Sequence, residues 1–183
     1  MGLKNIIGKP NSGKTFYALR EALETSEPNK TCIITLELTP RKIEERVFNY
    51  TKNRGMSLNS VEDINIKQMD IPCELTKLCE YITKMCDHGY ENFFIDSMGV
   101  IKGDNIQDVL YNLSEEKNCN IIITVSVNSK ITHKDLLTDS DQLRENENTI
   151  FISKSISNNI ITRLSYNFKN SDVESFTIDE FIN

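Results

Sequence analysis

The segment from Gly8 to Thr15 holds the residues of this sequence that are best suited to bind an anion. It reads Gly8-Lys9-Pro10-Asn11-Ser12-Gly13-Lys14-Thr15, a complete G-x-x-x-x-G-K-[ST] phosphate loop. Glycines let such a loop curl so that its backbone N–H groups face phosphates. Lys14 is expected to bridge the β- and γ-phosphates of a nucleotide, and the Thr15 hydroxyl to take a coordination position on Mg²⁺. The loop therefore predicts a nucleotide site, with Phe16 as the next contact residue.

Two carboxylates follow apolar runs and could serve a metal ion and a water molecule. Residues 93–97 read Phe-Phe-Ile-Asp-Ser, the pattern of a Walker B strand, whose Asp96 binds the metal through water and bonds to the loop threonine. The alternative is that Asp96 binds no metal and only caps the backbone that begins at Ser97. Glu37, within Thr-Leu-Glu-Leu at residues 35–38, could orient or deprotonate the attacking water. The alternative for Glu37 is a solvent-facing end of a strand.

Short apolar runs alternate with longer amphipathic ones, which indicates an α/β domain with a mainly parallel sheet flanked by helices. The predicted strands are residues 4–7, 32–37, 92–96, 121–126, 149–153, 160–167 and 175–178. The predicted helices are residues 13–24, 39–52, 74–87 and 105–117, with a further helix at 139–145. Thr39 is the expected N-cap of the second helix, with Pro40 at its first position and acid in its first turn. Residues 160–183 are expected to form an antiparallel pair that turns near 170–172. The carboxyl edge of the sheet, where such sheets bind ligands, then holds the phosphate loop, Glu37 and Asp96.

Composition narrows the class of protein. A chain of 183 residues is expected to form a single domain, 1–183, and its 38% hydrophobic content is typical of a globular chain rather than of a disordered one. The net charge of −6 argues against a protein that coats nucleic acid non-specifically. The longest apolar runs are too short to cross a bilayer, so no membrane partner is expected. Five cysteines without a Cys-x-x-Cys pair predict reduced thiols in an intracellular protein, and those of helix 74–87 are expected to be small core residues.

Residues 8–19, G-K-P-N-S-G-K-T-F-Y-A-L, closely resemble the nucleotide loop and first helix of DnaB-type replicative helicases. Glu37 in T-L-E-L-T, followed by a helix with Arg46, is similar to the motif in which that family's Glu activates water. Residues 93–101 resemble its Walker B strand, and 110–126 resemble the helix and strand that follow. The resemblance covers roughly residues 1–170 and implies a RecA-like P-loop NTPase core, ATP with Mg²⁺, and often a ring that threads single-stranded DNA. We expect a minimal core without that family's N-terminal domain.

The sequence departs from the family pattern at the residue that senses the γ-phosphate and at the element that reaches the neighbouring subunit. Ser126 is followed by Val127, where the family usually has a Gln. The family's late Lys-x-Arg element is matched at best by Asn167-x-Lys169, so Lys169 is the candidate catalytic cation for the neighbouring subunit. Arg163 is a poorer alternative.

Two shortened loops, 102–105 and 129–141, correspond to the DNA-contacting loops of the family. The cations that could contact DNA phosphates from these loops, or that are solvated surface charges, are Lys102, Lys130, His133, Lys134 and Arg144.

Two functions remain open from the sequence. The first is a small ATPase that acts with single-stranded DNA in replication or recombination, as a possible homo-oligomer. The second is an ATP-gated regulator or assembly factor that binds a protein partner. A small-molecule kinase would need a cluster of lid arginines, and the six arginines of the chain do not cluster in the sequence.

Overall fold

The computed structural model of the chain describes residues 2–25, 27–56, 63–127, 149–157, 160–167, 172–176 and 179. Its helices are α1 (Lys14–Thr25), α2 (Pro40–Asn53), α3 (Leu75–Asp87) and α4 (Ile106–Lys117). Its strands are β1 (Gly2–Gly8), β2 (Thr31–Thr35), β3 (Asn65–Gln68), β4 (Cys73–Glu74), β5 (Asn92–Asp96), β6 (Ile101–Lys102), β7 (Asn120–Ser126), β8 (Thr149–Ser157), β9 (Ile160–Asn167) and β10 (Val173–Phe176). Short 3-10 turns lie at Pro28–Lys30 and Met98–Val100.

The main sheet has the strand order β10-β9-β8-β1-β7-β5-β2-β3. The strands from β8 to β3 run parallel, and β9 is antiparallel to both β8 and β10. The predicted α/β fold, with a mainly parallel sheet and a C-terminal antiparallel pair, is confirmed. In a parallel sheet the carboxyl ends of the strands share one edge, so the residues that follow β1, β2, β5 and β7 come together there.

Helices cover both faces of the sheet. On one face, α1 and α2 pack on Ile6, Ile33 and Phe94. On the other face, α3 and α4 pack on a second cluster that includes Ile34 and Ile95. The five cysteines are free thiols that belong to this second cluster or pack against it, namely Cys32, Cys73, Cys79, Cys86 and Cys119. The cysteines of α3, Cys79 and Cys86, were predicted to be core residues, but they are only partly buried and pack against this cluster.

Some predicted boundaries were wrong. β2 ends at Thr35, so Glu37 lies in the loop after the strand rather than within it. β3 was not predicted, because its Asn-Ile-Lys-Gln segment forms a half-exposed edge strand without an apolar run. Thr39 and Pro40 start α2 as predicted, but the first turn of α2 contains no acid. Residues 139–145 and the turn at 170–171 lie outside the described residues. Within the described part of the chain, no helix is long and apolar enough to span a membrane.

Candidate nucleotide site

The phosphate loop is a tight connection between the end of β1 and the first residue of α1. A Cβ atom on Gly8 would lie 2.5 Å from the carbonyl oxygen of Ile152 and 2.6 Å from the Ser12 hydroxyl, so only glycine fits there. Asn11 and Gly13 have φ angles of 60° and 102°, in the left-handed region that a curled loop requires. The Ser12 N–H donates to the Lys9 carbonyl at 3.2 Å and closes the turn. The loop therefore meets the N-terminus of α1, where backbone N–H groups and the helix dipole favour an anion.

Lys14 and Ser12 give this loop two groups suited to a polyanion. The Lys14 ammonium is buried and donates to the Lys9 carbonyl at 2.9 Å. Burial lowers the pKa of Lys14, against the opposing effect of the charges of Asp96 and Glu37. The Ser12 hydroxyl is buried without a hydrogen-bond partner among the described residues. A bound phosphate would satisfy both groups, so the loop fits a nucleotide.

Asp96 ends β5 and is held by two hydroxyl groups. Thr15 Oγ1 donates to its Oδ2 at 3.0 Å, and Thr124 Oγ1 donates to its Oδ1 at 2.6 Å. Burial nevertheless raises the pKa of Asp96, because the hydroxyl groups and Lys14 compensate only part of the lost hydration. A carboxylate beside a threonine hydroxyl offers the oxygen donors that Mg²⁺ prefers, and Mg²⁺ commonly needs only one or two carboxylates besides phosphates and waters. Asp96 and Thr15 therefore fit the predicted magnesium site.

Glu37 is placed by hydrogen bonds of the loop after β2. The Thr35 hydroxyl donates to the Leu38 carbonyl at 2.6 Å and accepts from the Leu38 N–H at 3.1 Å. The Leu36 N–H donates to the Asp96 carbonyl at 2.7 Å, which ties this loop to the end of β5. Ser97 Oγ then donates to Glu37 Oε1 at 2.5 Å. Glu37 is therefore oriented by a buried serine while its residue as a whole is exposed to solvent.

One open cavity of about 430 Å³ brings these groups together. The predicted site residues that line it are Pro10, Asn11, Gly13, Lys14, Thr15, Phe16, Glu37 and Asp96. Gly8, Lys9 and Ser12 shape the loop beneath them through the contacts given above. Ser126, at the end of β7, also lines the cavity.

Four further residues take part in this site. Arg46, noted in the sequence only through the resemblance, lines the cavity with its guanidinium 4.4 Å from the centre of the Phe16 ring, and burial lowers the pKa of Arg46. Ser97 and Thr124 hold the two carboxylates, and Lys154 of β8 lines the cavity. The sequence signals for these three are weak: a polar residue after Asp96, a threonine within an apolar run, and a lysine one residue beyond a predicted strand.

The cations predicted to contact DNA or a neighbouring subunit are not among the described residues that line this cavity. Lys102 is exposed on β6 and is not among the residues that line the cavity. The remaining candidate cations lie outside the described side chains, namely Lys130, His133, Lys134, Arg144, Arg163 and Lys169. The roles suggested for them stay predictions.

A strand–phosphate loop–helix unit, together with a carboxylate at the end of β5, which is parallel to β1 and separated from it by β7, defines a P-loop nucleotide-binding fold. Among solved structures the chain is similar to the ATPase domain of G40P, a DnaB-type helicase, with a TM-score of 0.71 at 16% sequence identity. The match covers 100% of this chain and 83% of that chain. The chain thus has a RecA-type core fold, which it shares with that domain. Searches against protein-family models and curated proteins find no match.

Proposed function

We propose that this chain is an ATPase that binds ATP with Mg²⁺ at the phosphate loop and hydrolyses it. The observation that supports this function most strongly is the single cavity in which Lys14, the Thr15–Asp96 pair and Glu37 meet. The RecA-type fold agrees with this assignment, because it places these residues at the carboxyl edge of the sheet.

Each of these residues has a definite task in hydrolysis. The loop N–H groups and Lys14 bind the phosphate chain, and Thr15 and Asp96 would hold the metal ion. When bound, Mg²⁺ neutralises charge on the phosphate oxygens. Glu37 orients a water molecule and accepts its proton as the water oxygen bonds to the γ-phosphorus and the bond to ADP breaks. Because Glu37 is exposed, the proton can then leave to solvent.

Single-stranded DNA is the partner we propose, in replication or recombination. The support is the resemblance to DnaB-type helicases in the loop and Glu37 motifs, together with the fold shared with the ATPase domain of G40P. A second candidate is an ATP-gated regulator that binds a protein. The acidic residues that follow Lys102 in the sequence favour this second candidate, because Asp104 lies in the loop after β6 and Asp108 in the first turn of α4.

Two variants test the ATPase. We expect Lys14→Ala to abolish ATP binding or turnover in a folded protein, since Lys14 faces the ligand. Glu37→Gln should retain Mg·ATP but hydrolyse it at least tens of times more slowly, because an amide cannot accept the proton. The measurements are the binding of a fluorescent ATP analogue and the release of phosphate. Unchanged binding and hydrolysis in a folded Lys14→Ala protein would contradict the nucleotide site.

The partner is tested separately with the wild-type chain. The ATPase rate and the mass of the protein in solution are measured with Mg·ATP, with and without single-stranded DNA. An increase in rate on adding DNA supports the first function. A rate and mass that DNA leaves unchanged favour the regulator.

A further inference from the structure

Strand β8 lies directly against the phosphate loop. It pairs in parallel with β1, and Ile152 is the register partner of Gly8, the first residue of the loop. The contact between them is close, because the Ile152 carbonyl oxygen occupies the space beside the Gly8 Cα. A side chain that follows Ile152 on β8 is therefore held at a fixed position relative to the loop.

The pleat of β8 determines which side chain faces the loop. Ile150 and Ile152 are buried in the cluster beneath α1, and successive side chains of a strand alternate between the faces of a sheet. Lys154 therefore lies on the same face as these isoleucines, one step closer to the carboxyl edge. Its place in the cavity wall beside the residues of the loop agrees with this direction.

Lys154 stands apart from the carboxylates of the site. Asp96 ends β5 and Glu37 follows β2, and both strands lie on the opposite side of β1 from β8. Asp96 accepts bonds from two threonines and Glu37 from Ser97. Lys154 is exposed, and within the described ranges no acidic side chain forms an ion pair with it. The loop thus has carboxylates on one side and an exposed ammonium group on the other.

We propose that Lys154 is a nucleotide-binding cation that contacts the phosphate chain of ATP or ADP from within the same chain. This inference rests on the proposed function of the phosphate loop. Lys14 binds the phosphates from the loop itself, and Lys154 adds a second ammonium from β8. The site then obtains a cation in cis whether or not a neighbouring subunit supplies another.

The test compares the affinities of Lys154→Gln and wild type for ATP, ADP and AMP. Both proteins also carry Glu37→Gln so that ATP is not consumed, and binding is measured by calorimetry with Mg²⁺. We expect ATP and ADP affinity to fall about tenfold, the size of a lost charge-assisted hydrogen bond, and AMP affinity to fall less. The loss should shrink at high salt, and Lys154→Arg should restore most of the affinity.

Two controls separate the outcomes. Lys67→Gln removes an exposed lysine from β3, at the far edge of the described sheet, and should leave all three affinities unchanged. Lys14→Ala is measured in parallel. ATP and ADP affinities within about twofold of wild type, or an equal loss for AMP, would overturn the role of Lys154. If Lys14→Ala also bound ATP normally, the proposed function itself would fail.

Discussion

At the scale of single residues, Asp96 is expected to favour ligand binding at a cost in the stability of the empty protein. Its carboxylate is almost completely buried, and its two threonine partners do not replace the hydration that it loses. A metal ion or a cationic ligand would supply the missing compensation. The residue is therefore expected to cost stability in the empty protein and to restore it when ligand binds.

The variant Asp96→Asn tests this cost. Burial raises the pKa of Asp96 above its ordinary 3.8, so the folded state binds the proton more tightly than the unfolded chain does. The free energy of unfolding therefore decreases as the pH rises from 3.8 through the pKa that Asp96 has in the folded protein. The nucleotide-free variant should melt above wild type near pH 7, by about 2–4 °C for each kcal/mol recovered, and this advantage should vanish near pH 4. Addition of Mg·ATP should reverse the order. A lower melting temperature for the empty variant at neutral pH would contradict the argument.

Ser97 is expected to act through Glu37, to which it donates a hydrogen bond of 2.5 Å. Ser97→Ala should lower kcat about tenfold, since a carboxylate without this bond is less well oriented, and should leave the KM for ATP unchanged. In the Glu37→Gln background the same change should cost almost nothing further, because the base it orients is gone. A purely structural serine would instead reduce the rate by the same factor in both backgrounds, and that outcome would exclude the positioning role.

At the scale of elements, the sequence predicts what neighbouring residues of the chain determine. The phosphate loop could be predicted because strand, turn and helix follow one another within a few residues. Asp96 could be predicted because it comes directly after an apolar run. The contacts of Thr124 and Lys154 could not, because they depend on β7 and β8 pairing on either side of β1 and on β5 lying beside β7. Strand order in such a sheet is set by long-range packing, and local periodicity does not report it.

The C-terminal strand β10 provides a test at this scale, because one arginine joins it to α1. Arg20 forms two hydrogen bonds with the Glu174 carboxylate, at 3.2 and 2.9 Å, and its guanidinium lies over the rings of Tyr17 and Phe176. Burial alone would lower the pKa of Arg20, but the bonds and charge of Glu174 raise it overall.

Arg20→Met should therefore loosen β10. Because Glu174 is half exposed, the expected loss is only about 1 kcal/mol. Hydrogen exchange should accelerate at residues 173–176 and remain slow in β1, with ATP affinity unchanged. The matched variant Arg41→Met removes an exposed arginine whose ion pair with Glu45 lies within α2, and it should leave the exchange of β10 as it is. Equal exchange of β10 in both variants would show that the Arg20 contacts do not hold the strand.

At the scale of the whole molecule, we expect a second subunit to supply a cation that the site of one chain lacks. The resemblance to DnaB-type helicases implies a site between subunits, and a cation from the neighbour can contribute about 10³–10⁵ in rate. Lys169 is the residue predicted for that role. A lysine is a point charge rather than a planar fork, so it should stabilise the transition state less selectively than an arginine. We therefore expect slow hydrolysis by the isolated chain, weak self-association, and stimulation when DNA or a partner aligns the subunits.

Mixing two impaired variants distinguishes a cation supplied by the neighbour from one supplied by the same chain. Glu37→Gln lacks the base but retains Lys169, whereas Lys169→Ala retains the base and lacks the cation. If Lys169 acts across an interface, each Lys169→Ala site beside a Glu37→Gln subunit regains a complete set, and the stimulated rate of the mixture should exceed the mean of the separate rates. Lys169→Ala alone should lower that rate with little change in ATP affinity. The control pairs Glu37→Gln with Lys14→Ala,Lys169→Ala, which cannot bind ATP productively and should not recover. A mixture that gives only the mean, or a monomer that hydrolyses ATP rapidly at every concentration, would show that hydrolysis needs no neighbour.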